Sequence, residues 1–206
     1  GYRLLNRYLE ALGDYRGLPL LAFYTAYRAL VRAKVAAIRA GQEEPAGRLA
    51  ALATCDQYLD CAGKAAVPGQ PRLLLMHGLS GSGKSWLAQQ LLERLGALRI
   101  RSDVERKRLF GLPALARSDS AVGDGIYDTA ATGATYDRLV ELASQILAAG
   151  YPVVVDAANL RIWQRDAFRK LAASRGVPFA IVSCTVPEAV LQARLAPRLA
   201  AGRAAS

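Results

Sequence analysis

The sequence has few of the groups on which disulfide frameworks, zinc sites and histidine chemistry depend. Its three cysteines, Cys55, Cys61 and Cys184, are odd in number and lack Cys-x-x-Cys spacing, and its single histidine is His77. A disulfide scaffold, a zinc site and a histidine-based nucleophile are therefore not indicated. Any chemistry must come from other side chains.

Long apolar runs are also absent from the 206 residues. None approaches the roughly 18–20 residues that a membrane-spanning helix needs, and the first residues lack the basic-then-apolar pattern of a secretion signal. We therefore expect a cytoplasmic location. Apolar residues nonetheless make up 52% of the sequence, which is enough for one domain of ordinary size and a smaller piece.

Aromatic residues make up only 7% of the sequence, and the net charge is +10. The aromatic residues are not interleaved with arginines as base-stacking platforms are, so charge alone does not predict nucleic-acid binding. The positive charge favours polyanions or phosphorylated ligands, but an arginine-rich and alanine-rich composition gives the same excess. RNA and a small metabolite both stay open as partners.

What the sequence does contain is a glycine-rich segment between a short apolar run and an amphipathic helical pattern. Gly78 to Ser85 matches G-x-x-x-x-G-K-[ST], in which glycines let backbone N–H groups converge on phosphate oxygens at a helix N-terminus. The alternative is a Gly/Ser-rich turn that ends in Lys-Ser by chance, and the strand-loop-helix context favours the phosphate loop. The candidate ATP-binding residues are Gly78, Ser80, Gly81, Ser82, Gly83, Lys84 and Ser85.

Lys84 and Ser85 have predicted roles of their own within this loop. Lys84 is expected at the β- and γ-phosphates of ATP, where it is a catalytic candidate, and Ser85 is expected to supply a hydroxyl to Mg²⁺.

Three helices are predicted over residues 1–62, and the glycine- and proline-rich segment 63–71 is interpreted as a linker. The second helix has an apolar face wide enough to pack against more protein than its neighbours supply. That face contains Leu20, Phe23, Tyr24, Tyr27, Leu30, Val31, Val35 and Ile38.

From residue 72 onward, short apolar runs alternate with helical patterns, which predicts a parallel sheet with right-handed crossovers. The expected fold is α/β: a P-loop NTPase parallel sheet flanked by helices over residues 72–206, preceded by a small all-α segment. No strand is predicted after the last helix, so we expect this domain to be incomplete at its C-terminal end.

Two aspartates follow predicted strands. Asp156 closes a buried run, the position of a carboxylate that binds Mg²⁺ directly or through a neighbour, although an aspartate there also caps loops. Asp103 and Arg106 follow an earlier predicted strand, Leu98–Arg101, where a carboxylate can accept a hydroxyl proton and a cation can hold the acceptor. The structural alternative is a capping box of Ser102 and Glu105.

The last predicted helix carries Arg194 and Arg198, four residues apart and thus on one face. In small P-loop kinases, lid arginines reach over the phosphates, and these two are candidates for that role. An exposed basic face is the alternative.

With these motifs in view, residues 72–198 resemble the P-loop kinase-like, ATP-binding half of bacterial bifunctional aminoglycoside phosphotransferase/ATP-binding proteins, an AAA-type domain similar to zeta toxins and polynucleotide kinases. The shared segments are GLSGSGKS, IRSDVERKRLFG, GIYDTAATGATYDRL and VVVDAANL. Residues 1–40 look like the closing helices of the phosphotransferase-like half. The catalytic His-x-Asp stretch of that half is missing, so aminoglycoside phosphotransfer is not implied.

The resemblance to polynucleotide kinases implies that Asp103 is the base and that Arg106 contacts the acceptor. Trp86 and Ala158-Asn159 depart from the usual pattern. The leading hypothesis is a kinase that transfers the γ-phosphoryl group of Mg·ATP to a hydroxyl. The alternatives are a regulatory ATPase module that controls a fused or associated phosphotransferase-like domain, and nucleic-acid binding.

Overall fold

The computed structural model describes residues 1–67, 69–112 and 129–200, except the side chains of residues 195 and 197–200. The chain divides into two compact units, one formed by Gly1–Tyr15 with Gln70–Ser206 and the other by Arg16–Gly69. One break between the units, after Gly69, lies within the predicted linker 63–71, and the other, after Tyr15, groups the first predicted helix with the sheet rather than with the next two helices.

The helices and strands follow the order that the sequence predicts. In the first unit they are α1 (Tyr2–Leu12), β1 (Leu73–His77), α4 (Lys84–Leu95), β2 (Leu98–Arg101), α5 (Ser102–Leu109), α6 (Thr129–Ala148), β3 (Val153–Asp156), α7 (Ile162–Arg175), β4 (Phe179–Ser183) and α8 (Glu188–Ala200). In the second unit they are α2 (Leu18–Ala40) and α3 (Pro45–Ala66).

The sheet has the order β2-β3-β1-β4, and every adjacent pair of strands is parallel. Leu73 of β1 is in register with Val153 of β3 on one side and Phe179 of β4 on the other. The two central strands consist largely of leucine and valine because a parallel sheet is covered by helices on both faces. The predicted α/β fold is thus confirmed.

The core lies between this sheet and the helices that flank it. On α6, Leu139, Leu142 and Ile146 are spaced three or four residues apart and are fully buried, as expected of a helix with one apolar face. Phe168 of α7 is also fully buried. Because this packing fixes β1 and β3, the ends of the two strands are rigid places from which to present functional groups.

Helix α1 protects the edge of the sheet at β2. The Asn6 side-chain amide donates to the Ala97 carbonyl oxygen at 3.1 Å and accepts from the Arg99 backbone N–H at 2.7 Å. One side chain therefore supplies the two hydrogen bonds that a further strand would make. An edge strand left with free backbone groups would be a site for unwanted pairing.

The second unit is a hairpin of α2 and α3. Apart from Leu18 at the start of α2, its buried helix residues are small: Ala29, Ala33, Ala36 and Ala40 on α2, with Ala51 and Ala62 on α3. The large residues of the predicted α2 face are mostly exposed, among them Phe23, Tyr24 and Tyr27. Alanine contacts allow two helices to approach closely, so the large side chains lie on the outer surface.

None of the helices in the described ranges has the length and apolarity to cross a membrane.

Candidate functional site

The loop between β1 and α4 has a backbone that only glycine can adopt easily. Gly78, Gly81 and Gly83 have φ values of +140°, +84° and +94°. Residues that have a Cβ atom rarely adopt such positive φ values. A Cβ on Gly78 would lie 2.4 Å from the Cys184 carbonyl oxygen. The loop therefore needs glycine at its first position for both conformation and space.

The polar groups of this loop suit an anionic ligand. Lys84 is buried, and its Nζ donates to the Leu79 carbonyl oxygen at 2.7 Å. The Ser82 Oγ is buried without a hydrogen-bond partner among the described residues. No side chain within that part of the chain caps the first turn of α4, so its backbone N–H groups remain suited to phosphate oxygens. Ser80, the remaining predicted residue, lies within the same loop.

The two residues predicted to bind Mg²⁺ lie together. The Ser85 hydroxyl donates to Asp156 Oδ1 at 3.3 Å, while the buried Asp156 Oδ2 has no hydrogen-bond partner in the described ranges. Burial raises the pKa of Asp156, and the Ser85 hydrogen bond and Arg99 partly oppose that rise. A hydroxyl and an unsatisfied carboxylate oxygen are hard oxygen ligands, so these residues fit Mg²⁺.

Mg²⁺ usually takes only one or two carboxylates from a protein and its other ligands from phosphates and water. Within the described residues, His, Cys, Asp and Glu form no group of three or more that could hold a metal. A site of Ser85, Asp156 and a bound phosphate agrees with both facts.

Asp103 and Arg106 lie on α5 at the same edge of the sheet. The Asp103 carboxylate accepts a hydrogen bond from Arg101 at 2.7 Å, and its charge contributes to the raised pKa of Asp156. Arg106 is buried and donates to Thr132 Oγ1 at 3.2 Å. The structure thus brings the predicted base near the predicted metal ligand, and the two roles stay predictions.

The capping box considered for Ser102 and Glu105 is not formed. No side chain caps α5 within the described residues. Glu105 is instead buried, where it accepts a hydrogen bond from Arg108 and lies 3.8 Å from Arg138. Glu105 therefore connects α5 to neighbouring arginines, and the cap does not account for Asp103.

Of the two arginines predicted on α8, Arg194 reaches the phosphate loop. Its guanidinium donates to the Gly81 carbonyl oxygen at 3.0 Å from an exposed position. Arg198 lies on the same helix, but its side chain falls outside the described residues.

Asn159 is a residue of the site whose role the sequence does not predict. It is fully buried with φ +52°, and its side-chain amide donates to the Met76 carbonyl oxygen at 2.7 Å. Its own carbonyl oxygen accepts from Arg165 at 2.8 Å, and the Ala158 carbonyl oxygen accepts from the Gly78 N–H at 3.1 Å. The segment after β3 therefore holds the start of the phosphate loop. The sequence feature that could have indicated this role is an asparagine three residues after a strand-end aspartate, since asparagine tolerates positive φ.

A parallel sheet with a phosphate loop after β1 and an aspartate at the end of the adjacent strand defines a P-loop kinase-like fold. The chain matches the AAA_33 family, described as an AAA domain, over residues 73–206. It therefore belongs to this family.

Two mycobacterial proteins are similar to the chain over nearly all of its length. These are uncharacterized protein Rv2004c of Mycobacterium tuberculosis and uncharacterized protein Mb2027c of Mycobacterium bovis, each 31% identical over 198 residues. Each match covers 96% of this chain and 39% of the relative. The chain thus spans about two fifths of the length of the curated relatives it matches.

Among solved structures, the chain is similar to a candidate kinase from Chloroflexus aurantiacus, with a TM-score of 0.53 and 21% identity over 66% of this chain and 69% of that chain. This similarity supports the fold alone. The chain is also similar to the Mycobacterium tuberculosis APS kinase CysC in complex with AMPPNP and APS, with a TM-score of 0.49 and 28% identity over 65% and 73% of the two chains.

Proposed function

We propose that this chain is an ATP-dependent kinase that transfers the γ-phosphoryl group to a hydroxyl acceptor. The observation that carries the proposal is the contact between Asp156 and Ser85, the last residue of the phosphate loop, because the second Asp156 carboxylate oxygen is buried without a hydrogen-bond partner among the described residues. A buried carboxylate without a full set of partners is costly. A cation held together with phosphate oxygens would remove that cost.

The residues of the candidate site have distinct parts in the proposed reaction. The loop Gly78–Ser85 binds the phosphates through its N–H groups, and Lys84 and Arg194 neutralise phosphate charge. Mg²⁺, when bound at Ser85 and Asp156, would offset further negative charge on the phosphate oxygens. Asp103 orients the acceptor hydroxyl and takes its proton.

The bond changes of this transfer balance without any further reactant. The acceptor oxygen bonds to the γ-phosphorus while the bond from that phosphorus to the β–γ bridging oxygen breaks. ADP then leaves, and the hydroxyl proton moves to Asp103. Arg106 is proposed to contact the acceptor from the same helix.

Calorimetric titration of the full chain with ATP and Mg²⁺ tests the donor half of the proposal. Lys84→Met should weaken ATP binding about tenfold or more, because hydrogen bonds to a charged group contribute roughly 1.5–3 kcal/mol. Lys170→Met is the matched control, since Lys170 is exposed on α7. Absence of ATP binding by the wild-type protein would refute the proposal.

A second candidate function is a regulatory nucleotide-binding module that controls a fused or associated phosphotransferase-like domain. The observation that favours it is the Arg101–Asp103 ion pair at 2.7 Å, because this pair occupies a carboxylate oxygen that the kinase proposal assigns to the acceptor hydroxyl. Incubation of γ-labelled ATP with hydroxyl-bearing metabolites and 5′-hydroxyl RNA separates the two functions. A kinase labels an acceptor, whereas a regulatory module labels none.

A further inference from the structure

Glu10, on α1, lies beside two arginines of the edge strand β2. Its Oε1 is 3.3 Å from an Arg99 terminal nitrogen and 3.1 Å from one of Arg101. The Glu10 side chain is only 12% exposed, so this contact is largely shielded from water. Glu10 also lies outside residues 73–206, the part that matches the family.

Each of these arginines faces a second carboxylate in the candidate site. Arg101 bonds Asp103 at 2.7 Å. Arg99 lies 3.9 Å from Asp156 Oδ2, which is too long for a hydrogen bond. The arginines therefore lie between Glu10 on one side and the predicted metal ligand and predicted base on the other.

The position of Glu10 is fixed by its backbone as well as by its side chain. Arg108 donates to the Glu10 carbonyl oxygen at 2.6 Å, and Asn6, one turn earlier, bonds the edge of β2. Glu10 is thus held against β2 by contacts that do not depend on its own carboxylate. Loss of that carboxylate alone should leave α1 in place.

We infer that Glu10 is a positioning residue that holds Arg99 back from Asp156 and shares Arg101 with Asp103. Without the Glu10 carboxylate, Arg99 gains by moving onto the unsatisfied Asp156 oxygen, since a buried charge seeks an opposite partner. A guanidinium bonded there competes with Mg²⁺ for the same oxygen. The inference rests on the proposed function because it takes Asp156 as a metal ligand.

The first test measures ATP binding by the full chain as a function of Mg²⁺ concentration. Glu10→Gln should raise the Mg²⁺ concentration needed for half-maximal strengthening of ATP binding about tenfold, the effect typical of losing a residue that orients a metal ligand. ATP binding in EDTA should stay unchanged. In an Arg99→Gln background, Glu10→Gln should have no further effect on the Mg²⁺ requirement.

Glu93→Gln provides the matched control. It removes the same kind of charge from the Arg3–Glu93 ion pair, which joins α1 to α4 away from both aspartates. It should leave the Mg²⁺ requirement unchanged. An equal shift in Glu93→Gln, or a Glu10→Gln effect that persists without Arg99, would overturn the inference and indicate that α1 merely loosens.

A second measurement does not depend on nucleotide. Thermal unfolding in EDTA of Arg99→Gln, Asp156→Asn and the double variant gives the coupling between the two residues. That coupling should increase in a Glu10→Gln background, and an unchanged coupling would refute the restraint on Arg99. If the wild-type protein bound no Mg·ATP, the proposed function would fail, while this measurement would still decide the role of Glu10.

Discussion

The proposed donor and acceptor sides of the candidate site are built in different ways. The donor side is one stretch of eight residues, Gly78–Ser85, whose shape comes from glycine backbone angles and the start of α4. On the acceptor side, ion pairs join Asp103 on α5 to Arg101 on β2 and Arg101 to Glu10 on α1, while Arg106 on α5 bonds Thr132 on α6. Local backbone geometry thus fixes one side, and contacts between distant segments fix the other.

The largest effect is expected from Gly78→Ala, which breaks the donor side at its backbone. The new Cβ would lie 2.4 Å from the Cys184 carbonyl oxygen, at φ +140°. Clash and strain together should destabilise the fold by about 2–5 kcal/mol and abolish ATP binding. Urea unfolding and calorimetry measure the two effects.

Gly176→Ala is the control for this substitution. Gly176 also has positive φ, +62°, but a Cβ there meets nothing within 4 Å. It should cost about 1 kcal/mol and leave ATP binding intact. Normal ATP binding by Gly78→Ala would contradict the close fit inferred for the loop.

The next largest effect is expected from Asp103→Asn, which breaks the acceptor side alone. Loss of the proposed general base should slow phosphoryl transfer by roughly 10²–10⁴-fold, while ATP affinity measured by calorimetry should not change. Asp166→Asn is the control, because Asp166 also pairs with an arginine on a helix but lies on α7. Transfer by Asp103→Asn at the wild-type rate would remove Asp103 from the mechanism.

The difference between the two sides explains how much of the site could be predicted from the sequence. Gly78–Ser85 and Asp156 are recognisable because a short motif specifies a backbone shape and a strand end specifies a position. Glu10 and Asn6 are not, since nothing in their local sequence indicates that they contact a strand about 90 residues further along.

The same limit applies to the helices before the sheet. Periodicity predicts three helices correctly, but it does not tell which of two faces is buried. In α2, Ala29, Ala33, Ala36 and Ala40 are buried, whereas Phe23 and Tyr27 are exposed. Close helix approach favours small residues, and this pairing preference is not visible in the hydrophobicity of one helix alone. The assignment of α1 to the sheet unit likewise depends on long-range contacts.

Asn6→Ala tests the long-range side of the comparison through stability. It would leave the Ala97 carbonyl and the Arg99 N–H of β2 without partners, which should cost about 2 kcal/mol in urea unfolding. Arg7→Ala, an exposed change on the same helix, should cost less than about 0.5 kcal/mol. Equal effects of the two variants would mean that α1 does not protect the edge.

The smallest effect on stability is expected from Asp156→Asn without metal. Unlike the other substitutions, this one should stabilise the folded protein. Burial raises the Asp156 pKa above its ordinary 3.8, so the folded state binds a proton more tightly than the unfolded state. The wild-type protein therefore loses stability as pH rises from about 3.8 through the raised folded pKa. Asparagine keeps an acceptor for Ser85 and removes this loss.

In EDTA at neutral pH, Asp156→Asn should thus be the more stable protein, and its advantage should shrink as pH falls toward about 4. Mg²⁺ with ATP should reverse the order, because only the wild-type carboxylate stabilises the cation. Urea unfolding across this pH range, with and without Mg·ATP, measures both effects. If Asp156→Asn were less stable than wild type in EDTA, the stabilisation of the charged carboxylate by Arg99 and Ser85 would outweigh the cost of burying it. Asp156 would then be a structural partner of the acceptor-side arginines and not a ligand kept available for the donor side.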